Sequence, residues 1–100
     1  MQKQLTLIID KIIEEVRQVQ VLGADDKIIT DITADSRVVE EGSLFICLKG
    51  ATVDGHKFLQ MAVEKGAVAV LVEDVPEEIP EGVTLLVVPD TRKAMEAVVP

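Results

Sequence analysis

"LFICLKGATVDGHKFLQMAVEKGAVAVLV", residues 44–72, decides the fold. It opens on an unbroken apolar run, Leu44 to Leu48, the pattern of a strand buried on both faces. A polar, glycine-bearing stretch follows, with Gly50, Asp54, Gly55 and His56. Phe58, Leu59, Met61, Ala62 and Val63 then recur at helical spacing, and Lys65-Gly66 reads as the stop, a cation in the last turn followed by a glycine cap. Residues 67–72 form a second apolar run. Strand, loop, helix and strand in that order predict parallel strands in one sheet with helices on its faces.

Working outward, residues 28–33 are β-branched and read as a strand, and Asp35-Ser36-Arg37 follows it. Residues 40–43 read as a turn. Further back, Leu5, Ile8, Ile9, Ile12, Ile13, Val16 and Val19 recur at helical spacing, with Lys11, Glu14, Glu15 and Arg17 on the other face. Residues 19–22 are a short strand candidate ending at Gly23. On the other side, residues 74–82 are rich in proline and acid and read as a surface loop. Residues 83–88 read as the last strand, and Asp90-Thr91 reads as the N-cap of a helix over 92–98. The expected fold is α/β: a small mixed or mostly parallel sheet of about five strands with flanking helices.

The chain has 100 residues, one domain's worth. Folding at this size buries roughly 60–70% of the surface that the unfolded chain exposes, enough for one core. The net charge of −8 argues against non-specific nucleic-acid binding and against anionic membrane surfaces, since both need a basic face. The acidic pairs Glu14-Glu15, Asp25-Asp26, Glu40-Glu41, Glu73-Asp74 and Glu77-Glu78 read as solvated faces and loops. Cys47 is the one cysteine, so no internal disulfide forms, and its neighbours predict a buried, unreactive strand residue. No stretch reads as a signal peptide or a membrane span, and a reducing cytoplasm is the expected setting. The final helix starts and the chain halts at Pro100, which predicts a first domain cut from a longer protein.

Two segments at strand carboxyl ends carry the candidate chemistry, because ligands of parallel sheets bind there. Asp35-Ser36-Arg37 is either a local turn or an anion grip, with Arg37 free to hold the anion or to pair with Asp35. Residues 50–55 hold glycines either for positive φ or for close approach of backbone N–H groups to a ligand. Asp54 reads as the cap of the next helix. His56 has no second histidine and no nucleophile motif around it, so neither a metal site nor a triad is expected. No Gly-Lys phosphate loop and no Gly-x-Gly-x-x-Gly is present, so no ATP site is expected in this chain.

The order of these pieces resembles the start of bacterial Mur ligases, the ATP-dependent amide ligases that build the peptidoglycan stem peptide. The pattern is Asp35-Ser36-Arg37, then Gly42-Ser43-Leu44-Phe45, then Gly50 with Asp54-Gly55-His56, then Ala62 with Gly66-Ala67. It covers about residues 20–98. The start, "VLGADDKIITDITADSR", and the ending, "VTLLVVPDTRKAMEAV", look most like the member that adds the third stem-peptide residue, L-Lys or meso-diaminopimelate. The related D-Ala-D-Ala-adding member shares the motifs and is the first alternative. A non-catalytic structural or interaction domain is the second.

The resemblance implies that residues 1–100 are a single amino-terminal domain that holds the UDP end of a UDP-N-acetylmuramoyl peptide. It implies that ATP and Mg²⁺ serve a central domain, and the incoming amino acid a carboxy-terminal one, both absent from this chain. It places substrate contacts at Ala34, Ser36, Ala51, Thr52 and Val53, with Asp35, Arg37, Gly50, Asp54, Gly55 and His56 as the supporting loops. It assigns no catalytic residue, metal or cofactor to this chain, whose expected partners are the nucleotide-sugar peptide and the rest of the ligase. The chain alone is expected to be inactive.

Overall fold

The computed structural model describes residues 2–99; Met1 and Pro100, the ends of the expected domain, lie outside them. Seven strands and three helices follow one another: β1 (Lys3–Gln4), α1 (Leu5–Val16), β2 (Gln20–Leu22), β3 (Ile28–Ile29), β4 (Asp31–Thr33), β5 (Ser43–Ile46), α2 (Leu59–Glu64), β6 (Ala69–Val72), β7 (Thr84–Val87) and α3 (Thr91–Val98). Short 3-10 turns at Ser36–Val38 and Gly55–Phe58 lead out of the β4 and β5 ends. Five strands form the main sheet in the order β2-β7-β6-β5-β4. The pairs β4–β5, β5–β6 and β6–β7 are parallel, and β2 runs antiparallel along β7. This is the mixed, mostly parallel α/β sheet that the apolar runs predict.

The two-residue period of a strand sorts the core into two layers. Leu44 and Ile46 of β5, Ala69 and Leu71 of β6, and Leu86 of β7 meet Leu5, Ile8, Ile9 and Ile12 of α1 and Ala94 of α3. Phe45 and Cys47, Val70 and Val72, and Leu85 point the other way, onto Leu59 and Ala62 of α2. All four residues of β6 and Leu44, Phe45 and Ile46 of β5 are buried, as their apolar runs require, and Ser43 at the start of β5 is buried with them. The i, i+3, i+4, i+7 stripe of α1 is its buried face. Asp90 caps α3 by accepting the Lys93 amide at 3.1 Å.

Residues 28–33 differ from the single strand that their composition predicts. Ile28–Ile29 pairs antiparallel with β1, in a separate two-stranded ribbon, while Asp31–Thr33 joins the main sheet beside β5. Thr30 makes the break. Its amide donates to the Gly42 carbonyl at 3.0 Å and its hydroxyl to the Glu41 carbonyl at 2.8 Å. Tertiary partners thus redirect a segment that is β-branched at every position but Asp31.

Candidate functional site at the carboxyl ends of the sheet

Because β4, β5, β6 and β7 run parallel, their carboxyl ends share one rim of the sheet, and the N-terminus of α3 joins them after β7. A groove of about 600 Å³ opens there between the β4 and β5 tips. Ala34, Asp35, Ser36 and Arg37 form one wall. Leu48, Gly50, Val53 and Gly55 form the facing wall, and Phe58, Met61 and Arg92 complete it. The two segments singled out in the sequence therefore meet in one crevice. Ala51 and Thr52 are exposed and stand outside the groove wall.

The β4 wall is locally self-supporting. The Asp35 amide donates to Thr33 Oγ1 at 3.0 Å, and Asp35 Oδ1 accepts the Arg37 amide at 2.9 Å. The Arg37 guanidinium forks the same carboxylate, Nε to Oδ1 at 3.0 Å and Nη2 to Oδ2 at 2.9 Å. Hydrogen bonds from Arg37 hold the Asp35 carboxyl down at about 2, below its ordinary 3.8. Of the two uses open to Arg37, pairing with Asp35 is the one adopted. Lys65 at the end of α2 donates to the Ser36 carbonyl at 3.1 Å and ties this wall to the helix.

The facing loop is a tight return. The Gly50 amide donates to the Val53 carbonyl at 2.9 Å and the Gly55 amide to the Leu48 carbonyl at 2.7 Å. Neither glycine has positive φ. A Cβ on Gly55 would sit 2.8 Å from Leu48 N and 3.0 Å from its carbonyl oxygen; one on Gly50 would sit 2.9 Å from the Val53 oxygen. The loop therefore takes glycine because its strands lie too close together for a side chain, a third reason beside the two that the sequence left open. The glycine amides are engaged within the loop. Among the described residues, those of Ala51, Thr52 and Val53 make no hydrogen bond to the protein.

Asp54 and His56 lock the loop in place. Asp54 Oδ1 accepts the His56 amide at 2.9 Å and lies 2.6 Å from His56 Nδ1. His56 Nε2 accepts the amides of Glu73 and Asp74 at 3.0 and 3.2 Å, which fixes the tautomer with the proton on Nδ1. The His56 amide pulls the Asp54 carboxyl below its ordinary range. Asp54, His56 and Asp74 bring three donor atoms within 4.8 Å, but these bonds already engage both ring nitrogens, and Lys49 holds Asp74 at 2.9 Å. Cys47 is fully buried, and burial together with the Asp54 charge pushes its thiol up to about 12. It is no nucleophile.

Sequence reading missed Leu48, Phe58, Met61 and Arg92 as groove residues. Phe58 and Met61 sit in the apolar helical stripe and read as core. Met61 is nonetheless 43% exposed, because the stripe turns partly toward the groove. Arg92 lies far along the chain, and no local pattern links it to residues 34–56.

Residues 28–99 match the family described as "Mur ligase family, catalytic domain". The chain belongs to the Mur ligase family. It is 50% identical over 68 residues to the UDP-N-acetylmuramoyl-L-alanyl-D-glutamate–2,6-diaminopimelate ligase of Chlorobaculum tepidum, covering 68% of this chain and 13% of that protein. It is 45% identical over 84 residues to the corresponding L-lysine ligase of Staphylococcus haemolyticus, covering 84% and 17%. Among solved structures it is similar to MurF from Acinetobacter baumannii, with a TM-score of 0.75 and 27% identity over 89% of this chain and 19% of that one. This Mur ligase segment thus spans less than a fifth of the length of these relatives.

Proposed function

We propose that this Mur ligase domain holds the UDP end of UDP-N-acetylmuramoyl-L-Ala-D-Glu for a longer ligase that adds the third stem-peptide residue. The observation that carries the reading is the convergence of the β4 and β5 tips on one groove with polar and apolar walls. Ser36 and Arg92 offer polar groups to a phosphate, and the unengaged amide of Val53 lies at the groove wall, with those of Ala51 and Thr52 just outside it. Ala34, Leu48, Val53, Phe58 and Met61 offer apolar surface to a base. Each charge-assisted hydrogen bond contributes about 1.5–3 kcal/mol, so a few sustain micromolar binding. Asp54, His56, Gly50 and Gly55 shape the loop rather than touch the ligand.

The names of the relatives support the third-residue role, and they include both the diaminopimelate and the L-lysine types. The likeness to solved structures of MurF and of a D-alanyl-D-alanyl ligase, both from A. baumannii, supports the alternative that this is the matching domain of the D-Ala-D-Ala-adding enzyme. In either case ATP and Mg²⁺ act outside these residues, and the domain alone does not catalyse.

The test is titration of the 100-residue chain with UDP, followed by amide NMR. Shifts at Ser36 and at Thr52 and Val53 are expected. A spectrum unchanged at millimolar UDP overturns the reading and leaves a purely structural domain.

A further inference from the structure

We propose that Arg92 is the cation that grips the diphosphate in the groove and makes it prefer a nucleoside diphosphate to an uncharged nucleoside. This rests on the reading of the groove as a UDP site.

Two arginines line the groove, and they are not equivalent. Arg37 is forked onto Asp35, so the pair presents little net charge. Of the neighbouring lysines, Lys57 makes no ion pair among the described residues but does not line the groove, and the other two are engaged. Lys49 pairs with Asp74 at 2.9 Å and Glu73 at 3.5 Å, and Lys65 donates to the Ser36 carbonyl. Arg92 is exposed and, among the described residues, makes no ion pair and no side-chain hydrogen bond. A domain with a net charge of −8 repels an anion at long range, so a local unpaired cation in the groove favours a bound diphosphate beyond what hydroxyl and amide donors supply. Arg92 is the groove-lining residue that supplies one.

Its backbone is mounted firmly. The amide and hydroxyl of Thr91 both donate to Glu73 Oε2, at 2.9 and 3.2 Å, and Glu73 is itself held by Lys49. Asp90 caps the same turn through the Lys93 amide. Arg92 thus stands between two anchored residues, and little backbone freedom remains to be lost on binding. A planar guanidinium can meet two phosphate oxygens at once, which an ammonium cannot match.

The test is the Kd of UDP and of uridine, by NMR titration, for the unaltered chain, Arg92→Ala, Arg92→Gln and Arg92→Lys. Arg92→Gln keeps a long polar stem on the helix, and thermal melts verify that each variant is folded. UDP binding is expected to weaken about 10–100-fold in Arg92→Ala and Arg92→Gln, and less in Arg92→Lys. Uridine binding is expected to stay within twofold. If the unaltered chain binds UDP and the Arg92 variants bind it equally well, or lose UDP and uridine together, Arg92 is not the diphosphate grip and the groove reading stands. If the unaltered chain binds no UDP, the groove reading falls and this proposal with it.

Discussion

Replacing Gly55 by alanine tests why the loop over β5 is built as it is. The added Cβ would lie 2.8 Å from Leu48 N, 3.0 Å from Leu48 O and 3.2 Å from Cys47 Cα. All three are backbone atoms of β5 or its extension, so no side chain can swing aside. Relief needs a displacement of roughly half an ångström, which also strains the 2.7 Å bond from the Gly55 amide to the Leu48 carbonyl. Overpacking costs about 1–3 kcal/mol and the lost hydrogen bond about 0.5–1.5, so a loss of about 2–4 kcal/mol is expected. That is a large share of the roughly 5–15 kcal/mol that holds a domain together, and it lowers Tm by roughly 10–25 °C. Urea and thermal unfolding measure it. Gly82→Ala is the control: its φ is +78° but nothing lies within 4 Å of its Cβ, so it carries conformational strain alone, about 1 kcal/mol. A Gly55→Ala loss below about 0.5 kcal/mol, or one no larger than that of Gly82→Ala, would refute the close-approach reasoning.

Two further outcomes follow from the same rim. His56→Ala removes the acceptor for two amides and is expected to cost about 1–3 kcal/mol, with the Glu73 and Asp74 amides losing protection from hydrogen exchange; unchanged protection refutes the lock. The Asp35 carboxyl is expected to titrate near 2 by carbon NMR and to return toward 3.8 in Arg37→Ala. Because its folded value is depressed, the Asp35–Arg37 contribution is present above the ordinary carboxylate range and is lost as pH falls from about 4 through about 2. A titration near 3.8 in the unaltered chain contradicts the fork.

The features legible in the sequence are those with a local cause. The continuous run at residues 44–48 announces a strand covered on both faces, and Leu5, Ile8, Ile9 and Ile12 announce the buried stripe of α1. Asp54 and Asp90 announce helix starts, because a capping carboxylate answers amides within its own turn. What stayed hidden depends on distant partners. Ile28–Ile29 leaves the main sheet because β1 claims it, and nothing within residues 28–33 encodes that choice. The same holds for His56, whose second nitrogen is answered by amides at residues 73 and 74.

Residue periodicity alone determined the layered α/β design, since spacing dictates which side chains face the core whatever they meet there. Which residues share the groove was decided only by strand order and by where α2 and α3 pack on the sheet. That order sets Ala34 opposite Val53, turns Met61 outward and brings Arg92 to the same opening. A groove is a relation between segments far apart along the chain, and such relations exist only once the sheet has closed.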